Sequence, residues 1–280
     1  MAAALKRPEA MTTFDIELRL LLDAIHLRYQ HDFRAYSIAS MRRRMDRALQ
    51  DLGFDSLSRL QHYVLREPAT FARLMQYLTV QVSEMFRDPE YFRQLREKVV
   101  PLLKTYPSVK VWVAGCSTGE ELWSLAILFH EEDLSERTIF YATDINPEAL
   151  RMAKSGVYAI ERLAGFSANY LAAGGTGSLS DYYHADYGGA HFARHLIERA
   201  VFAEHSLATD SVFSEVHLVS CRNVLIYFNR ELQDRAVGLF DEALVRRGFL
   251  GLGSQESLRF CAHADAFGPL AAKERIYQKV

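Results

Sequence analysis

Gly115 and Gly119, with Glu120, Glu121 and Asp144, are the residues whose types and spacing best suit the capture of a small polar molecule. An apolar run, Val109 to Ala114, leads into Gly115-Cys116-Ser117-Thr118-Gly119, and Leu122, Trp123, Ala126 and Ile127 recur beyond it at helical spacing. A buried strand, a glycine-bracketed turn and a helix start, in that order, aim backbone N–H groups and the positive end of the helix into the crevice above the strand. Carboxylates at that helix start would repel a pyrophosphate, yet they attract a cation and accept bonds from hydroxyls. Asp144 closes a second apolar run, Thr138 to Thr143, and stands 25 positions after Gly119 (144 − 119). An acid at the end of the second strand of a doubly wound sheet accepts hydrogen bonds from ribose hydroxyls. The expected ligand is therefore a phosphate-free nucleoside carrying positive charge, a description that S-adenosylmethionine meets with its sulfonium.

The same residues carry a rival reading. Gly115-Cys116-Ser117-Thr118-Gly119 also satisfies G-x-S-x-G, the elbow of α/β-hydrolases, with Ser117 as nucleophile and Asp210 and His263 as nominated partners. Elbows follow several strands of their sheet, whereas everything before Val109 reads as helix, so the cofactor turn is preferred. From Phe14 to about Leu78 glycine and proline occur once each, at Gly53 and Pro68, and leucines recur at helical intervals (Leu18, Leu21, Leu22; then Leu57, Leu60). A small helical domain is expected over residues 12–80, with Gly53 ending one helix and Asp55 or Ser56 capping the next. Strand-like runs then alternate with helices: Val109–Ala114, Thr138–Thr143, Val201–Glu204, Val216–Ser220, Phe249–Leu252 and Ile276–Val280. That alternation predicts an α/β fold whose mostly parallel sheet carries helices on both faces. The stretch Asn169 to Arg199, rich in glycine, tyrosine and serine, interrupts the pattern as an insertion.

Three segments, GCSTGEELWSLA (115–126), ATDINPEAL (142–150) and CRNVLIYF (221–228), resemble the signatures of the chemotaxis receptor methyltransferases, the CheR family. The resemblance runs from about Leu18 to the end. Leu78 to Pro89 is similar to the family's interdomain segment: Arg87 matches, while Gln81, Ser83 and Met85 stand where Asn, Thr and Phe are common. Ser206 takes the place of a family Asn, and Trp123 that of a Tyr bordering the pocket floor. The resemblance implies a Rossmann-like class I methyltransferase domain over residues 96–280, with a small antiparallel β-subdomain inserted at about 165–200. A small all-α N-terminal domain precedes it, and a linker at 81–95 contributes to the cofactor site. The implied activity is methyl transfer from S-adenosylmethionine to glutamate carboxylates of chemoreceptors, leaving S-adenosylhomocysteine. The implied cofactor site comprises Gln81, Ser83, Arg87, Gly115, Cys116, Glu120, Glu121, Asp144, Ser206, Leu207, Arg222 and Asn223. Arg87, as a fork for a carboxylate, and Tyr227, as a donor near the methyl path, are the implied aiming residues. The departures at Gln81, Ser83 and Ser206 keep a second reading open, a non-catalytic S-adenosylmethionine-binding module of a signalling complex.

Composition bounds the partners. Thirty-three basic against 35 acidic residues give a net charge of −2, which supplies no general attraction to nucleic acid or anionic lipid. Cys116, Cys221 and Cys261 show no paired spacing, so neither a disulfide framework nor a zinc site is expected. No apolar run approaches membrane length and Met1 to Met11 lacks a secretory apolar core, so a soluble, cytoplasmic monomer with a loose N-terminus is expected. Arg43, Arg44 and Arg47 cluster on one side of a predicted helix and could grip the glutamate-rich cytoplasmic helices of a receptor; a solvated helix face is the competing reading. In the family the insertion docks, in some members, onto a pentapeptide at the receptor C-terminus by strand addition; a surface lid is the alternative. His184, His191 and His195 lie close in sequence but lack a third rigid ligand, so surface histidines are expected rather than a metal site.

Overall fold

A computed structural model describes residues 11–280, in two compact units that divide between Thr79 and Val80. The expectation placed on Met1 to Met11 lies, apart from Met11, outside the described residues. The first unit holds α1 (Thr13–Tyr29), α2 (Ile38–Leu52), α3 (Leu57–Arg66) and α4 (Pro68–Leu78). Local chemistry sets their ends. Thr12 accepts from the backbone N–H of Asp15 while the Asp15 carboxylate accepts from that of Thr12, a reciprocal cap at the start of α1. Gly53 closes α2 in the left-handed region at φ 76°, and Ser56, not Asp55, caps α3. Leu18, Leu21, Ile25, Met41, Met45, Leu60, Val64 and Leu74 are fully or almost fully buried and form the unit's core.

The second unit begins with α5 (Pro89–Gln94), a π-helical turn and α6 (Val100–Leu103). It continues through β1 (Val109–Ala114), α7 (Glu120–Glu131), β2 (Thr138–Asp144), α8 (Pro147–Ser155), β3 (Val157–Ala159) and α9 (Leu163–Ala172). Then come β4 (Tyr183–Asp186), β5 (Gly189–Phe192), β6 (Ala200–Glu204), β7 (Val216–Cys221), α10 (Arg230–Ala243), β8 (Leu244–Leu252), β9 (Phe267–Ala271) and β10 (Ile276–Lys279). The main sheet runs β6-β2-β1-β7-β8-β10-β9; its first five strands are mutually parallel and the last two pairings antiparallel. From β1 the chain moves outward to β2 and β6, then returns to the other side of β1 as β7 and β8. The reversal opens a crevice above the carboxyl ends of β1 and β7, where open α/β sheets bind their ligands. α7 is buried along Leu122 to Phe129, as its all-round apolar sequence requires.

Two strand expectations need correction. β9 was not anticipated, because Gly268 and Pro269 demote its sequence; proline is tolerated there since β9 is an edge strand. The inserted antiparallel sheet, ordered β3-β5-β4, recruits the three-residue strand Val157–Ala159, so it starts before the glycine-rich stretch, and residues 165–172, expected within the insertion, belong to α9. A three-residue strand offers no period to read.

Candidate active site

The glycine turn and the end of β2 are locked together. The Asp144 carboxylate accepts from the Ser117 backbone N–H (2.8 Å) with one oxygen and from Asn146 N–H (2.9 Å) with the other. Asn146 in turn caps α8 by accepting from Glu148 and Ala149, so the Asp-Ile-Asn-Pro segment turns the chain by a relay of side-chain bonds. Burial pushes the Asp144 carboxyl above its ordinary range, against the pull of those N–H groups. Gly115 adopts φ 69°, and a Cβ there would lie 2.6 Å from Val224 Cγ2, so the loops after β1 and β7 approach as closely as glycine permits. The Ser117 hydroxyl donates to Gln81 Oε1 at 3.0 Å, bringing Gln81, Ser117 and Asp144 into one cluster. The hydrolase arrangement is not assembled: Asp210 accepts from the Ser206 backbone N–H, and His263 lies beside Asp241. Burial also holds the Cys116 thiol well above its usual range, which leaves it protonated and inert.

Glu120 and Glu121, adjacent in sequence, have different duties. Glu120 is sealed, with 0% of its side chain exposed; it accepts from the Thr118 hydroxyl (2.7 Å) and from Arg162 Nη1 (2.8 Å). Glu121 keeps 14% exposure, accepting from Ser220 Oγ (2.6 Å) and from Arg222 Nη1 (3.1 Å). Arg222, with 1% of its side chain exposed, also pairs with Asp88 (2.7 Å), donates to the Arg87 carbonyl (2.8 Å) and stacks 4.1 Å over the Tyr91 ring. Glu120, with no exposed side-chain surface, and Arg222, 1% exposed, are enclosed by the protein and brace the elements they join, and among the described residues the buried Arg222 Nε has no hydrogen-bond partner. Glu121 and Asp144 remain able to offer lone pairs to the crevice.

The segment carrying Arg87 has no regular structure, yet its backbone is pinned from several elements. Arg162 donates to the Ser83 carbonyl, Asn169 to Met85 (3.1 Å), Ser124 accepts from Phe86 N–H (2.8 Å) and Arg222 donates to Arg87. Phe86 and Asp88 flank Arg87 at φ 52° and 56°, and Ser117 and Asn223 face the same crevice loops at 51° and 61°. Left-handed non-glycine residues cost about 1–3 kcal/mol each and gather where geometry is imposed from outside. Among the described residues, the half-buried Arg87 guanidinium has no hydrogen-bond or ion-pair partner.

The remaining expected residues fall as follows. Asn223 sits beyond β7, its N–H held by Glu256 (3.0 Å); Tyr227 is half-buried in the 3₁₀ turn that follows. Ser206 and Leu207 are buried after β6, where Ser206 Oγ accepts from Ala208 N–H, and His205 N–H donates to the Asp144 carbonyl. Trp123 does not line the crevice floor: its indole donates to the Ala153 carbonyl and packs against α8. In the helical unit Arg44 spends its donors on Ser40 and on the Leu78 carbonyl at the end of α4, whereas Arg43 and Arg47 are exposed, Arg47 beside Asp51. His184 and His191 stack across the small sheet, and His195 lies against His130.

Sequence reasoning missed Arg162 and Glu256. Glu256 is buried, and its two oxygens accept from the N–H groups of Asn223, Gly253 and Ile226; burial raises its carboxyl against these bonds. An acid just past a core strand was a signal that could have exposed it. Arg162 had none, since its partners lie 42 and 79 positions away.

Comparison with known proteins agrees with this geometry. Residues 81–276 match the family description "CheR methyltransferase, SAM binding domain", and residues 16–79 match "CheR methyltransferase, all-alpha domain". The chain belongs to the CheR methyltransferase family. It is 57% identical to a Pseudomonas putida protein named "Putative methyltransferase Cher3", over 95% of this chain and 97% of that protein. It is 26% identical to a "Chemotaxis protein methyltransferase" of Listeria monocytogenes, over 81% of this chain and 84% of the relative. A "Chemotaxis protein methyltransferase 2" of Pseudomonas aeruginosa is 28% identical over 79% of each chain. S-adenosylmethionine is thus the cofactor of this CheR-family domain. The residues fit it: the Asp144 carboxylate accepts backbone N–H groups from Ser117, Asn146 and Ile145 and still has acceptor capacity for a ribose hydroxyl, and Glu121 adds negative charge suited to a cationic ligand.

Proposed function

We propose that this CheR-family methyltransferase transfers a methyl group to glutamate carboxylates of chemoreceptor cytoplasmic helices. The observation that carries the reading is Arg87: a half-buried cation without a protein partner among the described residues, on a backbone braced by Arg222, suits a carboxylate arriving from outside. Glutamate has an unperturbed pKa near 4.3 and is ionised at neutral pH, so no general base is required. Bound S-adenosylmethionine supplies a methyl group on a sulfonium. Asp144 and Glu121 hold it, with Gln81, Ser83, Ser206, Leu207 and Asn223 as further contacts. Arg87 orients the substrate carboxylate, and Tyr227 donates beside it. Such alignment is worth up to roughly 7–11 kcal/mol of barrier in well-oriented systems. Arg43 and Arg47 meet the acidic receptor helix, and the small antiparallel sheet is the docking site for a receptor C-terminal peptide where the receptor carries one.

The test uses the full chain, methyl-labelled S-adenosylmethionine and a receptor cytoplasmic fragment. Base-labile label should appear on the fragment and vanish when the target glutamates are changed to glutamine. Cofactor binding by calorimetry with no label transferred would instead select the non-catalytic module.

A further inference from the structure

Glu120 has no exposed side-chain surface, and a carboxylate so enclosed needs a fixed counter-charge. Arg162 provides it from outside the main sheet, three positions beyond β3 of the small sheet (162 − 159). From its other terminal nitrogen the same guanidinium donates to the Ser83 carbonyl. Its guanidinium carbon lies 4.7 Å over the Phe166 ring centroid, a cation–π contact that adds to both bonds. Tyr158, on β3 itself, donates to the Thr118 carbonyl (2.8 Å), and the Thr118 hydroxyl donates to Glu120. β3 and the turn after it therefore reach both halves of the cofactor site, the glycine turn through Tyr158 and the 83–87 segment through Arg162.

We propose that Arg162 is a positioning residue that couples the inserted small sheet to the cofactor site, setting how tightly S-adenosylmethionine is held by tying Ser83 to the start of α7 through Glu120. The proposal rests on the reading of Gln81 and Ser83 as cofactor contacts. Without Arg162, Glu120 becomes a buried carboxylate lacking a counter-charge, and the Ser83 carbonyl loses its charged donor. The segment then loosens at its amino end. At its carboxyl end Arg222 still grips Arg87, so the aiming of the substrate survives.

The experiment is Arg162→Met in the full chain, titrated calorimetrically with S-adenosylhomocysteine, which needs no methyl acceptor. The expected Kd rises about tenfold, the size of one charge-assisted hydrogen bond. The KM for S-adenosylmethionine should rise in proportion while kcat at saturating cofactor changes less than about threefold. Arg162→Lys keeps the charge beside Glu120 but lacks the planar fork, and should fall between Met and wild type. A folded Arg162→Met protein with unchanged Kd and KM, even with a lowered melting temperature, overturns the proposal, as does a loss confined to kcat. If the Met variant does not fold, Arg162→Lys decides: a raised Kd supports the coupling and a wild-type Kd overturns it. Failure of the glutamate-methylation reading would look different, with no turnover in the wild type and the calorimetric shift intact.

Discussion

The arginines of α2 and those around the crevice differ in what they hold. Arg47 is 77% exposed and pairs with Asp51 one turn away, and Arg42 reaches Asp15 from an exposed position. An exposed pair one helical turn apart, such as Arg47 and Asp51, contributes about 0.3–0.5 kcal/mol. Arg222 and Arg162 are braced by rings and carboxylates, and each fixes a backbone carbonyl of one short segment. Within the conspicuous arginine cluster only Arg44 turns inward, to the Leu78 carbonyl, whereas the inconspicuous, widely spaced Arg162 and Arg222 tie the crevice segments together. Arg87 belongs to neither group, for it is held in place by its backbone and, among the described residues, keeps its donors unspent.

Three changes would break or sharpen this contrast. The largest effect is expected from Arg87→Ala, which should lower kcat about 100-fold or more, as loss of a charge-stabilising donor does, with little change in thermal melting. Turnover within a few-fold of wild type would return Arg87 to the class of surface arginines. Reversing Arg43 and Arg47 together to Glu should slow receptor methylation about tenfold at low salt, fading as ionic strength rises, with the Kd for S-adenosylhomocysteine unchanged. Methylation rates that ignore the double substitution at every salt concentration would make α2 a merely solvated face.

The smallest effect is a pH dependence. Burial holds the Asp144 carboxyl above its ordinary 3.8, so on acidification it takes up a proton in the folded chain before it would in the unfolded one. Between those two values its protonation adds to folding stability, which then stays level below 3.8, while the carboxylate that accepts ribose hydroxyls is lost. Cofactor affinity should thus fall a few-fold, beginning above pH 3.8, without unfolding through this group, and Asp144→Asn should abolish the step. Calorimetry across that range, with melting followed in parallel, checks it. A step that persists in the Asn variant belongs to another group.

The sequence by itself determined the glycine turn, Asp144 at the end of β2, the alternation of strands and helices, and the family to which the chain belongs. Those features are local: a turn needs its glycines in place, a strand its apolar run, and each signal spans a few neighbouring residues. Tertiary structure alone decided that Glu120 is enclosed against Arg162 while Glu121 keeps some exposure beside Arg222, that Trp123 packs on α8, that Arg44 caps α4, and that Val157–Ala159 starts the small sheet. It also brought Arg162, Ser83 and Glu120 together. Such pairings depend on burial and on contacts between elements far apart along the chain, and a buried charge announces its partner only once the fold has enclosed both.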